Sequence, residues 1–203
     1  LAKKLIAEGR RVSTAGQVTP DRLQELLDAK KSELIALRKG KFQARDNVQR
    51  FSVEITDIQK KIAKAKILLV GAGGLGSPAA LYLAAAGVGT IGLIDSDVVD
   101  LTNLQRQVLH HTADVGRPKV LSGKDKIAAL NPDVIVKTYE ERLTAGNALK
   151  IFSEFDVIID GVDNFTAKFL INDACFFADK PLIHGGILRF DGRVTTILPK
   201  ENM

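Results

Sequence analysis

Apolar positions along the chain change their period at residue 66. Before it, Leu23, Leu26, Leu27, Leu34 and Leu37 recur every three or four residues, which puts them on one helical face. Thr19-Pro20-Asp21 supplies an N-cap hydroxyl, a proline at the first helical position and a carboxylate in the first turn. With Gly40 read as the stop, the pattern predicts a helix from Thr19 to about Lys39. Ile55, Ile58 and Ile62 mark a second, short helix ending in the lysine-rich 60–66, the end at which a helix dipole favours cations. One amphipathic helix cannot bury its own face, so the leucines predict packing on the main domain or on a second subunit.

After residue 66 the period alternates. Short apolar runs predict strands over 67–70, 90–95, 134–138, 157–160 and 181–183. Between them lie helical patterns over 74–86, 119–130, 144–152, with Thr144 as cap, and 164–178. Such alternation predicts an α/β fold, a doubly wound and mostly parallel Rossmann-like sheet covered on both faces. Runs 187–190 and 193–198 flank Asp191-Gly192, a two-residue hairpin signal, so the sheet is expected to end in antiparallel strands. The expected domains are a helical N-terminal extension, 1–65, and an α/β domain, 66–203.

Composition narrows the class. The chain has 203 residues, 45% hydrophobic and 26% charged, which suits a globular core and excludes wholesale disorder. Residues 67–94 carry no charge and by length alone would span a membrane, but seven glycines interrupt them, and a strand, turn, helix and strand fit better. The single Cys175 can form neither an internal disulfide nor a Cys-rich zinc site. No leader pattern opens the sequence, so a cytoplasmic protein is expected. Because it begins with Leu1 rather than Met, we read the sequence as a piece of something longer. The net charge is +5, yet residues 1–66 hold 16 Lys/Arg against 8 Asp/Glu, while 67–203 hold 13 against 16. The basicity thus belongs to the N-terminal segment. Interspersed charges fit a solvated helical face better than a nucleic-acid interface, which leaves a tRNA partner as the lesser alternative.

Candidate chemistry lies at strand ends. Gly71-Ala72-Gly73-Gly74-Leu75-Gly76 follows a strand and opens a helix, where glycines permit a sharp turn and backbone N–H groups can hold phosphate. Asp95 ends the next strand, where a carboxylate can take ribose hydroxyls. On these features alone NAD leads. Asp97, then Asn103 and Arg106 in Leu101-Thr102-Asn103-Leu104-Gln105-Arg106-Gln107, and Lys119 in Gly116-Arg117-Pro118-Lys119 change the ranking. Hydride transfer needs no cationic cluster, whereas cleaving a triphosphate does, because charge moves onto pyrophosphate. Asp163, in Asp160-Gly161-Val162-Asp163-Asn164 after another strand, is a candidate Mg²⁺ ligand and also a candidate helix cap. Cys175 reads as a buried thiol and His184 as a hydrogen-bonded structural histidine, while His110 and His111 receive no role.

The run GAGGLGSPAALYLAAAGVGTIGLIDSDVVDLTNLQRQ, followed by GRPK and DGVDN, resembles the ThiF/MoeB/HesA family, bacterial relatives of ubiquitin-activating enzymes. The resemblance covers about residues 66–198. It implies ATP-dependent adenylation of the C-terminal glycine carboxylate of a small ubiquitin-like sulfur-carrier protein, with release of pyrophosphate, by a homodimer. By position it implies Gly71, Gly73, Gly74 and Gly76 in the nucleotide loop and Asp95 on the ribose, with Asp97 beside it. It further implies Asn103, Arg106 and Lys119 on phosphates, and Asp163 on Mg²⁺. Arg106, Lys119 and Asp163 are the expected catalytic residues. Two features depart from the family. Gln49-Arg50-Phe51-Ser52-Val53 puts valine where the family carries an arginine that reaches the partner subunit's ATP, and Arg50 is either its substitute or a surface residue. The family's Cys-x-x-Cys zinc pairs lie beyond Met203, so no zinc is expected in these residues. The competing readings are activation of another carboxylate or a tRNA base, an NAD-binding oxidoreductase, and a catalytically silent scaffold.

Overall fold

The computed structural model describes residues 20–199, with side chains from residue 24; Thr19, expected as a helix cap, lies outside the described residues. The chain divides into two units, 1–56 and 57–203. Helix α1 spans Pro20–Ile62 as one 43-residue element. The two helices expected here are therefore continuous, and Gly40 does not stop the first. One interior glycine costs about 1 kcal/mol relative to alanine. The strong helix formers on both sides, Leu37, Arg38, Lys39, Lys41, Gln43 and Ala44, outweigh that cost. Gly40 is also not in the left-handed conformation that a glycine C-cap adopts.

The second unit is built on a six-stranded sheet in the order β3-β2-β1-β4-β5-β6. The strands are β1 Lys66–Val70, β2 Thr90–Ile94, β3 Ile135–Tyr139, β4 Val157–Asp160, β5 Leu182–Leu188 and β6 Asp191–Ile197. The first five are parallel, and β6 runs antiparallel to β5. Helices α2 (Gly76–Ala85) and α3 (Lys119–Leu130) cover one face, packing Ala80, Ala84, Val120 and Ile127 on Leu69, Ile91 and Leu93. On the other face α4 (Ala148–Phe152) and α5 (Phe165–Ala178) bring Ile151, Phe152, Ile171 and Cys175 against Leu68, Val70 and Ile158. Neighbouring residues of β1 thus feed opposite cores, as the period-2 geometry of a strand requires. The strand order reverses between β1 and β4, the switch point at which doubly wound sheets open a crevice at the carboxyl ends of their strands.

The expected strands 181–183 and 187–190 form one strand, β5, and two further features differ from expectation. The hairpin turns at Arg189-Phe190, with Leu188 opposite Asp191, rather than at Asp191-Gly192. Pairing Leu182 with Ile197 seats Ile197 against the core, and a turn on Asp191-Gly192 would slide Ile197 away from it. Arg189 accepts the left-handed backbone this register demands, at φ 57°. Helix α4 starts at Ala148 rather than at Thr144, because Asn147 Oδ1 accepts from the Thr144 N–H and closes a turn ahead of the helix. No described helix is long and apolar enough to cross a membrane.

Candidate functional site: a glycine loop at the switch point

The loop from β1 to α2 requires glycine where it folds against the next strand end. Gly71 has φ 95°, and a Cβ on it would lie 3.1 Å from the Gly161 carbonyl oxygen after β4. A Cβ on Gly76 would collide with the Gly71 carbonyl, so no other residue fits there. The packed backbones of Gly71, Gly76 and Gly161 close the base of the crevice. Above them α2 begins without a side-chain cap, since Leu75 at its N-cap offers no acceptor. Ser77 donates its N–H to the Gly73 carbonyl at 2.9 Å and Pro78 has none, so what α2 offers an anion is the positive end of its dipole behind the glycine loop.

Asp95 sets the shape of the loop. Its Oδ2 accepts from the Ala72 N–H at 2.8 Å and its Oδ1 from the Asp97 N–H at 2.8 Å. The Ala72 carbonyl accepts from His110 Nε2 at 2.9 Å, and His110 Nδ1 sits 2.9 Å from Ser122 Oγ on α3. Because a carbonyl only accepts, the proton is on Nε2 and the Ser122 hydroxyl donates to Nδ1. His110 is buried, and burial holds its pKa below the usual histidine range, so it is neutral at pH 7. Sequence reasoning missed this role, since the partners are a backbone carbonyl 38 residues away and a hydroxyl.

Lys119 is 5% exposed, not a surface cation. Its Nζ donates to Asp97 Oδ2 at 2.8 Å and its N–H to the Asp97 carbonyl at 2.9 Å. The Val98–Pro118 bridge and the Val99 N–H on the Arg117 carbonyl fix the same two segments together. Below them Asp114 anchors the turn with Arg117 at 2.9 Å and Lys126 at 3.1 Å. Burial pushes its carboxyl up, but the His111 N–H and Lys126 outweigh burial and hold it far below the usual range. Arg106 lies over the loop, with its Cδ 3.6 Å from where a Gly74 Cβ would be. Asn103 Oδ1 accepts from Arg106 at 2.7 Å and aims the guanidinium. Next to it, Gln107 is buried beside Gly73, and its Oε1 has no donor among the described residues. An orphaned buried acceptor beside an uncapped helix start suits a polar, hydroxyl-bearing anion such as a nucleotide.

The structure therefore connects Gly71, Gly73, Gly74, Gly76, Asp95, Asp97, Asn103, Arg106 and Lys119 through direct contacts. Asp163 is exposed on the loop after Gly161 and makes no hydrogen bond to described residues. The cap of α5 is Asn164, whose Oδ1 accepts from the Ala167 N–H at 2.9 Å, so Asp163 is free of that task. Among the described residues no cluster of three His, Cys, Asp or Glu side chains is placed to hold a metal by itself. A further group stands beside the loop: Asp160, 1% exposed, accepts from Lys168 at 2.9 Å, from the Val162 N–H at 3.0 Å and lies 2.7 Å from His184 Nδ1. His184 is thus hydrogen-bonded, as expected, and Cys175 is buried, its thiol pushed up to about 12 by desolvation. Arg50, on α1, pairs with Glu54 at 3.7 Å and stacks over Phe51.

The profile of the ThiF family matches residues 45–203. The chain is 49% identical over 158 residues to the probable adenylyltransferase/sulfurtransferase MoeZ of Mycobacterium tuberculosis, covering 75% of this chain and 40% of that protein. It is 48% identical over 136 residues to the sulfur carrier protein adenylyltransferase of Thermus thermophilus, covering 67% and 50%. With the SAMP-activating enzyme E1 of Haloferax volcanii it shares 45% over 141 residues, covering 70% and 52%. Among solved structures, E. coli MccB with MccA-N7isoASN superposes at a TM-score of 0.67 and 29% identity, over 71% of this chain and 42% of that one. The chain spans 40 to 52% of the length of these proteins.

Proposed function

We propose that this chain, which belongs to the ThiF family, carries the nucleotide site of an ATP-dependent adenylyltransferase. Its substrate is the C-terminal glycine carboxylate of a small ubiquitin-like sulfur-carrier protein. The observation that carries this reading is the placement of Arg106 over the glycine loop and of the buried Lys119 on Asp97, which Asp95 ties to the same loop. A dinucleotide site needs the glycine loop and Asp95 but not two cations. Identity of 45 to 49% to proteins named as adenylyltransferases and as a SAMP-activating enzyme supports the same reading.

In this mechanism the backbone of the glycine loop, the positive end of α2 and the side chains of Arg106 and Lys119 bind the triphosphate. Asp95 retains lone pairs beyond its two backbone donors and accepts from the ribose. A carboxylate oxygen of the carrier attacks the α-phosphorus, and the bond from that phosphorus to the bridging oxygen breaks. The products are an acyl adenylate and pyrophosphate. The nucleophile is already an anion, so no general base is needed and the protein supplies position and charge. Arg106 forks onto phosphate oxygens, aimed by Asn103. Lys119 exchanges its contact with Asp97 for the charge that develops on the leaving group. Asp163 is the candidate Mg²⁺ ligand, and the ion, when bound, neutralises phosphate charge there.

The assignment further takes residues 1–65 as a helical extension, 66–203 as the adenylation domain, a homodimer as the working form and the cytoplasm as its location. Calorimetric titration tests the ligand. Mg-ATP is expected to bind and NAD to bind more weakly or not at all, and tighter binding of NAD overturns the reading.

A further inference from the structure

The exposed side of α1 carries a repeat longer than any partner helix in the described residues. Positions 27, 34, 41, 48 and 55 are Leu, Leu, Lys, Val and Ile, seven apart. Positions 23, 30, 37, 44, 51 and 58, each set four before or three after one of these, are Leu, Lys, Leu, Ala, Phe and Ile. Nine of these eleven are apolar, over five heptads, the a/d pattern of a coiled-coil seam. The next longest helices, α5 and α3, have 14 and 12 residues, too short to cover a 36-residue seam. Every large apolar side chain of the seam from Leu27 to Ile58 is about half or more exposed, with Leu37 and Val48 at 66%. Leu26, Ile35, Phe42 and Val53 lie off it.

We propose that α1 pairs with α1 of a second copy of this chain as a parallel, in-register, two-stranded coiled coil. This deepens the homodimer of the preceding section by naming its contact and direction. A second copy is the occupant whose repeat matches the seam in both length and spacing. Charge sets the direction. In parallel register Glu33, at the flanking g position, faces Arg38 at the e position of the second copy, and this opposite-charge pair occurs twice. No like charges meet at these flanks. An antiparallel pairing centred on the seam would set Arg38 against Arg45 and Glu33 against Glu54, both like-charged. Within its own helix Glu33 also pairs with Lys30 at 2.7 Å. Val48 and Ile55, β-branched at a positions, favour two strands. Lys30 and Lys41 face their own copies in this register. Their stems extend along the seam while the ammonium groups stay in water, and such polar interruptions fix register at a cost in stability.

Sedimentation equilibrium without nucleotide tests the proposal independently of adenylation. The chain is expected to be dimeric, and Leu34→Glu with Ile55→Glu to weaken association at least tenfold while circular dichroism retains the helix. The off-seam control Ile35→Glu should leave association unchanged. Direction is read from Leu37→Cys, which faces itself only in the parallel register; the native Cys175 is buried and does not compete. Mild oxidation is expected to link the dimer covalently through residue 37. A monomeric parent chain overturns the proposal, and so does a dimer insensitive to the seam variants. A seam-dependent dimer that fails to link through residue 37 overturns the parallel direction.

Discussion

His110 holds the glycine loop from beneath through the Ala72 carbonyl, and its burial makes that contact sensitive to pH. Desolvation lowers its pKa, reinforced by Lys119 and opposed by the Ala72 carbonyl, Asp114 and Asp95. The unfolded chain takes up this proton near the ordinary pKa of about 6.5, while the folded chain resists it. Between the lowered native pKa and 6.5 the unfolded state therefore binds more protons, and stability falls as pH drops through that window. Thermal unfolding from pH 7.5 to 5 should show this loss, and His110→Gln should flatten it while costing about 0.5–1.5 kcal/mol for the lost hydrogen bond to the Ala72 carbonyl, which Ser77 Oγ still meets at 3.4 Å. At Arg106 and Lys119 the expected effect is on rate. Alanine at either should lower adenylation about 10²-fold or more with the fold intact, the scale of one lost transition-state donor. Parental rates in both would remove their assigned roles. Asp163→Asn should raise the Mg²⁺ concentration for half-maximal activity, since one anionic oxygen donor becomes neutral. Arg106, Lys119 and Asp95 were legible because each stands at a fixed distance from a strand end or a glycine. His110 and Gln107 were not, because their surroundings are backbone and loop that only folding brings near.

At the scale of elements, local signals succeeded where the core agreed with them and failed where it did not. The spans of α3 and β4 match their expected limits, since each is bounded by residues that also bury a face. Asp191-Gly192 is the stronger turn signal, yet the seat of Ile197 on the core moved the turn to Arg189-Phe190. Gly40 shows the converse, a stop signal with no tertiary contact behind it, overridden by the helix formers on either side. Since a Cβ on Gly40 meets nothing within 4 Å, Gly40→Ala should stabilise α1 by up to about 1 kcal/mol, read as a higher melting temperature of its circular dichroism. An unchanged or lower melting temperature would mean that α1 bends or breaks at this position.

For the whole molecule, the doubly wound, mostly parallel sheet was readable from alternation and the family from the motif run, whereas the strand order came from the structure because pairing between distant strands leaves no local signal. The apolar face of α1 was only partly readable: the leucines announced it, but its five-heptad length emerged once α1 proved continuous. The central claim is a chemical one, and isotope exchange tests it most directly. With Mg-ATP and a sulfur carrier ending in glycine, labelled pyrophosphate should enter ATP at a rate that depends on the carrier. That rate should drop about 10²-fold in Lys119→Ala. Exchange no faster than background at saturating Mg-ATP and carrier would contradict the account.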